Sequence, residues 1–362
     1  MLKKRTWIGS AAGLALLAVP LTACSETTAS NNDSEALGPL VIATWGGATS
    51  EATRVLAEQF TADTGIQVEV LETGNHLSMI RSMDDANNTE WDILDGAVLG
   101  DAYQLYVDGL LEPWDAETAA LLGESYGEAQ VDEYSYPWIG YGQIVVCNAD
   151  AVEECPTNVV ELLDTEAFPG NRMLPGDPGF FNTMLPPLAI ATGSEPDDLF
   201  EPSEGVDRIA DKLREVAPST TVWFTSGDAQ NQAMLQGEAD MGLMASGRAY
   251  TVQDEGVNLE LHWDGTYIYG ATSILKNAPN KEAAVAYIRW LAENPAAQAT
   301  WAETLNYAVP HLEAINLIDP EIAERLATYP ANFSGLALQD VAWQSANKAE
   351  IDETFLNIIV GE

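Results

Sequence analysis

Trp45 ends an apolar run, Leu40-Val41-Ile42-Ala43-Thr44, and directly precedes Gly46-Gly47. An indole there can stack on a ligand or make a cation–π contact, and two glycines leave the backbone open to close approach. Its other role would be to cover the core at the strand's end. Asp177 lies in the turn Pro175-Gly176-Asp177-Pro178-Gly179, between a short apolar stretch and a helical one. Its carboxylate either caps that helix or meets a ligand. Arg248 follows Ala245-Ser246-Gly247. Its planar guanidinium suits a carboxylate, phosphate or phosphonate, or a salt bridge at a rim.

Motifs for catalysis are missing. The sequence contains no G-x-S-x-G elbow, H-E-x-x-H pair or Walker loop. Its three histidines, His76, His262 and His311, share no metal-ligand spacing. His76 falls in a polar loop between a strand and a helix, where a surface or rim position is expected. No two tyrosines are adjacent in sequence, which argues against a paired-tyrosine ferric site. Beyond Cys24 the cysteines are Cys147 and Cys155, without a neighbouring histidine. They form either a disulfide closing a short loop, contributing about 2–3 kcal/mol, or two free thiols. The sequence predicts no metal, no cofactor and no enzymatic activity; an exported hydrolase is the main rival class.

The first residues predict where the chain works. Lys3, Lys4 and Arg5 precede an apolar run from Trp7 to Val19, and Leu21-Thr22-Ala23-Cys24 follows. This is the layout of a secretory signal, with an apolar run shorter than the ~20 residues of a membrane span. Leu-Thr-Ala-Cys looks like a bacterial lipobox, in which Cys24 is lipidated (a palmitate-type anchor) and becomes the mature N-terminus. Residues 1–23 are thus expected to be a signal peptide. Residues 24–37, reading SETTASNNDSEA after the cysteine, are expected to be a flexible tether. The expected location is exported: the outer face of the cell membrane, lipid-anchored, or the periplasm.

Charge narrows the partners further. The chain has 15 Lys+Arg against 56 Asp+Glu, a formal charge of -41. Removing residues 1–23 takes away three basic residues and no acidic one, leaving 12 against 56, or −44. Nucleic acid, which needs a basic footprint, is excluded, and anionic headgroups are disfavoured. The acids are spread along the chain, as on a solvated surface, although steering of a cationic ligand has the same sign.

Patterning then supplies the elements that must position these groups. The strand ending at Trp45 is followed by helical spacing from Glu51 to Thr64, with Val55, Leu56 and Phe60 on one side and Gly65 at the C′ position. Strands at Ile66–Val70 and Trp91–Leu94 flank a helix opening at Leu77. The order recurs: strand Arg172–Leu174, helices Phe181–Ala191 and Gly205–Val216, strand Thr220–Phe224, helix Gly227–Gly237, strand Ala239–Met244. Strand Gly270–Leu275, helix Lys281–Glu293 and a helical C-terminus close the chain. This is an α/β pattern with parallel sheets, and ligands of such sheets sit beyond the carboxyl ends of strands. The loops after Thr44, Leu94, Leu174 and Met244 all fall there, the second of them at Asp95.

Six short motifs, in order, resemble those of the extracellular solute-binding proteins of ABC importers, in the branch of the spermidine- and putrescine-binding proteins. They are Trp45-Gly46-Gly47 with Phe60, Thr64-Gly65-Ile66 and Val68; Trp91-Asp92-Ile93; Asp108-Gly109-Leu110-Leu111-Glu112-Pro113-Trp114; Tyr136-Pro137-Trp138 with Gly140-Tyr141-Gly142; Gly270 to Ile274 with Ala278 to Ala284; and Asn306-Tyr307-Ala308-Val309-Pro310. The resemblance implies a two-lobed periplasmic-binding-protein-like fold of type II with a hinged interlobe cleft. Lobe one would comprise 38–142 and 266–310, and lobe two 143–265 and 311–362. It also implies a monomer that captures a small polar solute and delivers it to a permease and its ATPase subunits, as in polyamine transport. A ferric-ion, anion or metal-complex binder of the same fold is the alternative.

The resemblance implies ligand roles for Asp177, at a position where polyamine binders pair an aspartate with an amine, and for Tyr307, at a pocket tyrosine. Tyr267 and Tyr269 flank the return to lobe one as expected pocket walls. The departures weigh more. A second carboxylate of that group is Phe180 here, its tryptophan falls in Ala245-Ser246-Gly247-Arg248, and an acid and tryptophan of the returning strand are Gly270 and Ile268. The carboxylate ladder for a multivalent cation is largely missing. Asp177 and Arg248 together suit a zwitterion: an amino-acid derivative, an opine-like conjugate or an aminophosphonate.

Overall fold

A computed structural model describes residues 39–361 except 75, 128–130 and 195–203. The expected signal peptide, Cys24 and the tether lie outside the described residues. In chain order the elements are β1 (Leu40–Thr44), α1 (Ala48–Thr64), β2 (Val68–Glu72), α2 (His76–Asp85), β3 (Ile93–Val98), α3 (Leu99–Val107), α4 (Ala116–Tyr126) and β4 (Tyr136–Asn148). Then follow α5 (Val159–Leu162), β5 (Arg172–Pro175), α6 (Pro178–Ala191), α7 (Glu204–Val216), β6 (Thr220–Phe224), α8 (Gly227–Leu235), β7 (Met241–Ala245), α9 (Ser246–Asp254) and β8 (Leu259–Ile274). The last are α10 (Lys281–Glu293), α11 (Pro295–Leu305), α12 (Pro320–Ala323), α13 (Pro330–Phe333), β9 (Leu336–Ala337), α14 (Val341–Ala346) and α15 (Lys348–Val360).

The described strands form one nine-stranded sheet, in the order β2-β1-β3-β8-β4-β7-β5-β6, with β9 on β8. Parallel sets sit at both ends, β2-β1-β3 in the first lobe and β7-β5-β6 in the second. The long antiparallel pair β4–β8 runs through both. The sequence pattern predicts only Gly270–Leu275 of β8 and no strand over Tyr136–Asn148. β4 is buried on both faces and does not alternate, whereas β8 opens with Leu259, Leu261 and Trp263 alternating with Glu260, His262 and Asp264. Their crossing contains a register shift between Ile144 and Val145, beside Gly265. A Cβ on Gly265 would lie 1.9 Å from Gln143 O, so this passage of the chain between lobes requires glycine. A third crossing joins Gly140 and Ala308 through reciprocal backbone bonds of 2.7 and 2.8 Å.

Most helices follow the expected spacing, with instructive exceptions. Helix α1 buries Ala52, Leu56 and Phe60 but leaves Val55 45% exposed, because Leu56 and Phe60 are one turn apart and Val55 is not on that line. Gly65 ends it in the left-handed conformation, its N–H donating to Thr61 O. Residues 311–362, expected in the second lobe, make contacts with elements at both ends of the sheet. Leu312 N donates to Ser125 O of α4, and α14 packs on α3. Helix α15 packs on α6 and α7, β9 packs on α6, and Gln344 Nε2 of α14 donates to Asn182 O of α6. Cys147 and Cys155 are joined by a disulfide, with Cα atoms 5.7 Å apart.

Candidate functional site

A cavity of about 440 Å³ opens between the two parallel sets, at the carboxyl ends of β1, β3 and β5. The first lobe contributes Trp45, Thr49, Gly96, Val98 and Leu99. The second contributes Asp177, Gly179, Phe180 and Thr183 from the start of α6. The crossing strands add Ile139, Tyr141, Ile268, Tyr269 and Gly270, and the C-terminal segments add Tyr307 and Gln339.

Trp45 is held edge and face. Its indole Nε1 donates to Gly96 O at 2.7 Å, and its rings lie 4.8 Å from the His76 imidazole. His76 is not at the surface: it is 2% exposed beneath the indole, and burial pushes its pKa down to about 4. A neutral ring bonded to Thr73 O supports the tryptophan from behind. Gly270 has no room for the acid of the polyamine group. A Cβ there would lie 2.8 Å from the backbone of Gly96, where β3 is irregular against β8.

Asp177 caps α6, accepting from Gly179 N at 2.8 Å, and is half-buried on the cavity wall. Asp177 is thus a helix cap that also lines the cavity. Among the residues lining the cavity it is the only carboxylate, and none is basic. Phe180 packs edge-on against Phe224. Arg248 does not line the cavity. Its guanidinium lies against Gly227, pairs with Asp228 at 2.8 Å and lies close enough to the Tyr307 phenol to oppose the rise of its pKa. Tyr307 in turn sits 5.6 Å from Tyr141. The fold therefore brings two tyrosines together that are far apart in sequence, and the argument from adjacent tyrosines does not carry. Burial raises both phenol pKa values.

Other expected site residues lie elsewhere. Gly46 and Gly47 are exposed and do not line the cavity. Ser246 is buried, its Oγ accepting from Gly142 N. Tyr267 is 1% exposed and covered by Phe333 from the C-terminal segment, so only Tyr269 reaches the cavity. Asp95 is 3% exposed and points into the first lobe, accepting from Thr44 Oγ1 at 3.1 Å and Thr272 Oγ1 at 2.9 Å. The strand pattern gave no sign of Tyr141, Ile139 or Gln339.

Burial pushes the Asp95 carboxyl up to about 6, the two threonine bonds opposing the rise. Between about pH 4 and 6 the folded chain holds a proton that the unfolded chain has released, so this group's contribution to stability falls as pH rises through that window. Asp95→Asn is expected to flatten that fall by up to roughly 3 kcal/mol. Urea melts of both proteins at pH 4 and pH 7 measure it; equal pH dependence in both would contradict the assignment.

A family model described as bacterial extracellular solute-binding protein matches residues 55–332. The chain is 25% identical over 325 residues to a gamma-aminobutyric acid-binding protein of Pseudomonas aeruginosa, covering 87% of this chain and 89% of that one. It is 26% identical over 294 residues to the spermidine/putrescine-binding periplasmic protein of Escherichia coli, covering 76% and 79%. Among solved structures, an ABC transporter substrate-binding protein from Bradyrhizobium japonicum USDA 110 has a TM-score of 0.80 at 28% identity, over 89% of this chain and 99% of that one. The Atu4243-GABA receptor has a TM-score of 0.78 at 27% identity, over 89% and 98%.

Proposed function

The chain belongs to the bacterial extracellular solute-binding protein family, and from that premise we propose that its cargo is a small zwitterion with one ammonium and one carboxylate, in the class of γ-aminobutyrate. It is a solute-binding component of an ABC transporter, which captures a small molecule for a permease and its ATPase. The observation that supports this cargo is the charge of the cavity: Asp177 is the one carboxylate lining it. Spermidine carries several ammonium groups, and each one buried without a partner costs several kcal/mol. A single ammonium is satisfied by Asp177, with Trp45 and Tyr269 as aromatic walls. The acid is met by the Tyr307 hydroxyl and the nearby Arg248 guanidinium, once Arg248 exchanges its exposed partner Asp228 for the ligand. That exchange is cheap because an exposed ion pair is worth only ~0–1 kcal/mol.

A thermal-shift panel of amines, ω-amino acids, opines and phosphonates tests the reading. A ligand at ~100 times its Kd adds about 2.7 kcal/mol. γ-Aminobutyrate and its homologues should raise Tm and spermidine should not; the reverse order would overturn the proposal.

The finer location follows from Leu21-Thr22-Ala23-Cys24 and the polar stretch after it. We read Cys24 as a lipidated N-terminus that tethers a monomeric binding protein at the outer face of the membrane. Cys24→Ala should move the protein from the membrane fraction to the soluble exported fraction. Retention that still requires detergent would contradict the anchor.

A further inference from the structure

We propose that the chain carries a second ligand site, beside the passage between its lobes and separate from the ligand cavity. Its occupant is a linear aliphatic amine: one ammonium on an apolar tail. This goes beyond the cargo and does not depend on it.

A cavity of about 510 Å³ lies between α5, the C-terminal part of α6, the Asp264-Gly265 step of β8 and residues 334–338. Its volume falls within the ~300–1,000 Å³ of small-molecule sites. It shares no lining residue with the 440 Å³ cavity. Helix α6 meets that cavity with Phe180 and this one with Ile190. At 1.5 Å per residue those positions are roughly 15 Å apart along the helix.

The walls are apolar. Val159, Pro187 and Leu336 are buried, whereas Val160, Ile190 and Leu338 stay exposed. Large apolar side chains left exposed together around one depression mark a binding surface. Two polar side chains line the cavity, Asp264 and Ser334. The Ser334 hydroxyl donates to Ala331 O at 2.8 Å. Asp264 is the only ionisable group, half-buried, its Oδ1 accepting from Val159 N at 2.8 Å. Burial raises its pKa, the Val159 N–H opposes that rise and the Glu161 carboxylate adds to it. No cation lines the cavity to compensate Asp264.

That charge pattern selects the occupant. A half-desolvated carboxylate against apolar walls is unfavourable, and an ammonium brought to it offsets the cost. An acid or a zwitterion would set another carboxylate against Asp264 and Glu161. A polyamine would bury further ammonium groups among aliphatic side chains, without partners. An alcohol would leave Asp264 uncompensated. An amine on a straight chain places its nitrogen at Asp264 and its methylenes along Val160, Ile190 and Leu338.

Calorimetry of the mature protein with straight-chain amines, butylamine to octylamine, tests this. Each added methylene should tighten binding by about threefold, and hexanoate should not bind. Asp264→Asn keeps an acceptor for Val159 N and should weaken hexylamine binding by about tenfold or more. Ile190→Ser, at an exposed position, should weaken it by about threefold or more, and serves should Asp264→Asn not fold. Asp177→Ala should leave hexylamine binding within about twofold. Binding lost in Asp177→Ala and kept in Asp264→Asn would put the amine in the ligand cavity and overturn the second site. Equal binding of hexanoate, or affinity independent of chain length, would overturn it too. None of these outcomes bears on γ-aminobutyrate, whose binding is measured separately.

Discussion

Asp177→Ala is expected to weaken γ-aminobutyrate binding by a factor of about 100 or more. The residue is the only carboxylate lining the 440 Å³ cavity, so its loss leaves a desolvated ammonium unpaired, at a cost of about 2–5 kcal/mol. The same change removes the cap on α6, whose bond to Gly179 N is 2.8 Å long, and caps are worth ~1 kcal/mol. Asp177→Asn separates the two effects. Asparagine caps as well as aspartate but carries no charge, so stability should return while affinity stays low. Unchanged affinity in the alanine variant would reduce Asp177 to a cap. Recovery in the asparagine variant would show that charge is not what it supplies.

Arg172→Met is expected to lower stability by about 4 kcal/mol, a fall in Tm of roughly 10 °C. Arg172 is 0% exposed, at the start of β5. Its guanidinium donates to Leu162 O and Gly170 O at 2.8 Å, to Asp164 O at 3.2 Å and to Phe168 O. It thereby satisfies the carbonyls of residues 162–170, a stretch with little regular structure of its own. Methionine keeps much of the volume but removes all these donors, leaving the buried Leu162 O and the half-buried Phe168 O and Gly170 O without the guanidinium. Ligand affinity should hardly change, because the cavity is at the other end of β5, beyond Pro175. Calorimetric melting measures the effect; a Tm within about 2 °C of the parent would contradict the role assigned to Arg172.

Local signals carried the parallel halves well. Gly65 as a helix stop, the apolar β1 and the turn around Asp177 each follow from residue type and spacing, and each sits where that logic puts it. The lobe order came from motifs of a resemblance, not from periodicity. What stayed hidden was set by distant chain. Tyr267 and Tyr269 are equivalent by alternation, yet Phe333, more than sixty residues on, covers one and leaves the other in the cavity. Asp95 follows an apolar strand as a ligand group would, but Gly96 at φ 68 turns the strand there, and the carboxyl goes inward to Thr44 and Thr272. Tyr141 sits in a stretch buried on both sides, where no alternation marks the residue that faces the cavity. Arg248 shows the limit of reading charges from sequence: Tyr307 lines the cavity, but Arg248 does not and is held by Asp228.

The most direct measurement is isothermal titration of the mature protein with γ-aminobutyrate and with spermidine, each on the parent and on Asp177→Ala. The account predicts one-to-one binding of γ-aminobutyrate, at least about tenfold tighter than spermidine, and its loss in the variant. Submicromolar spermidine binding that Asp177→Ala leaves undiminished would contradict it.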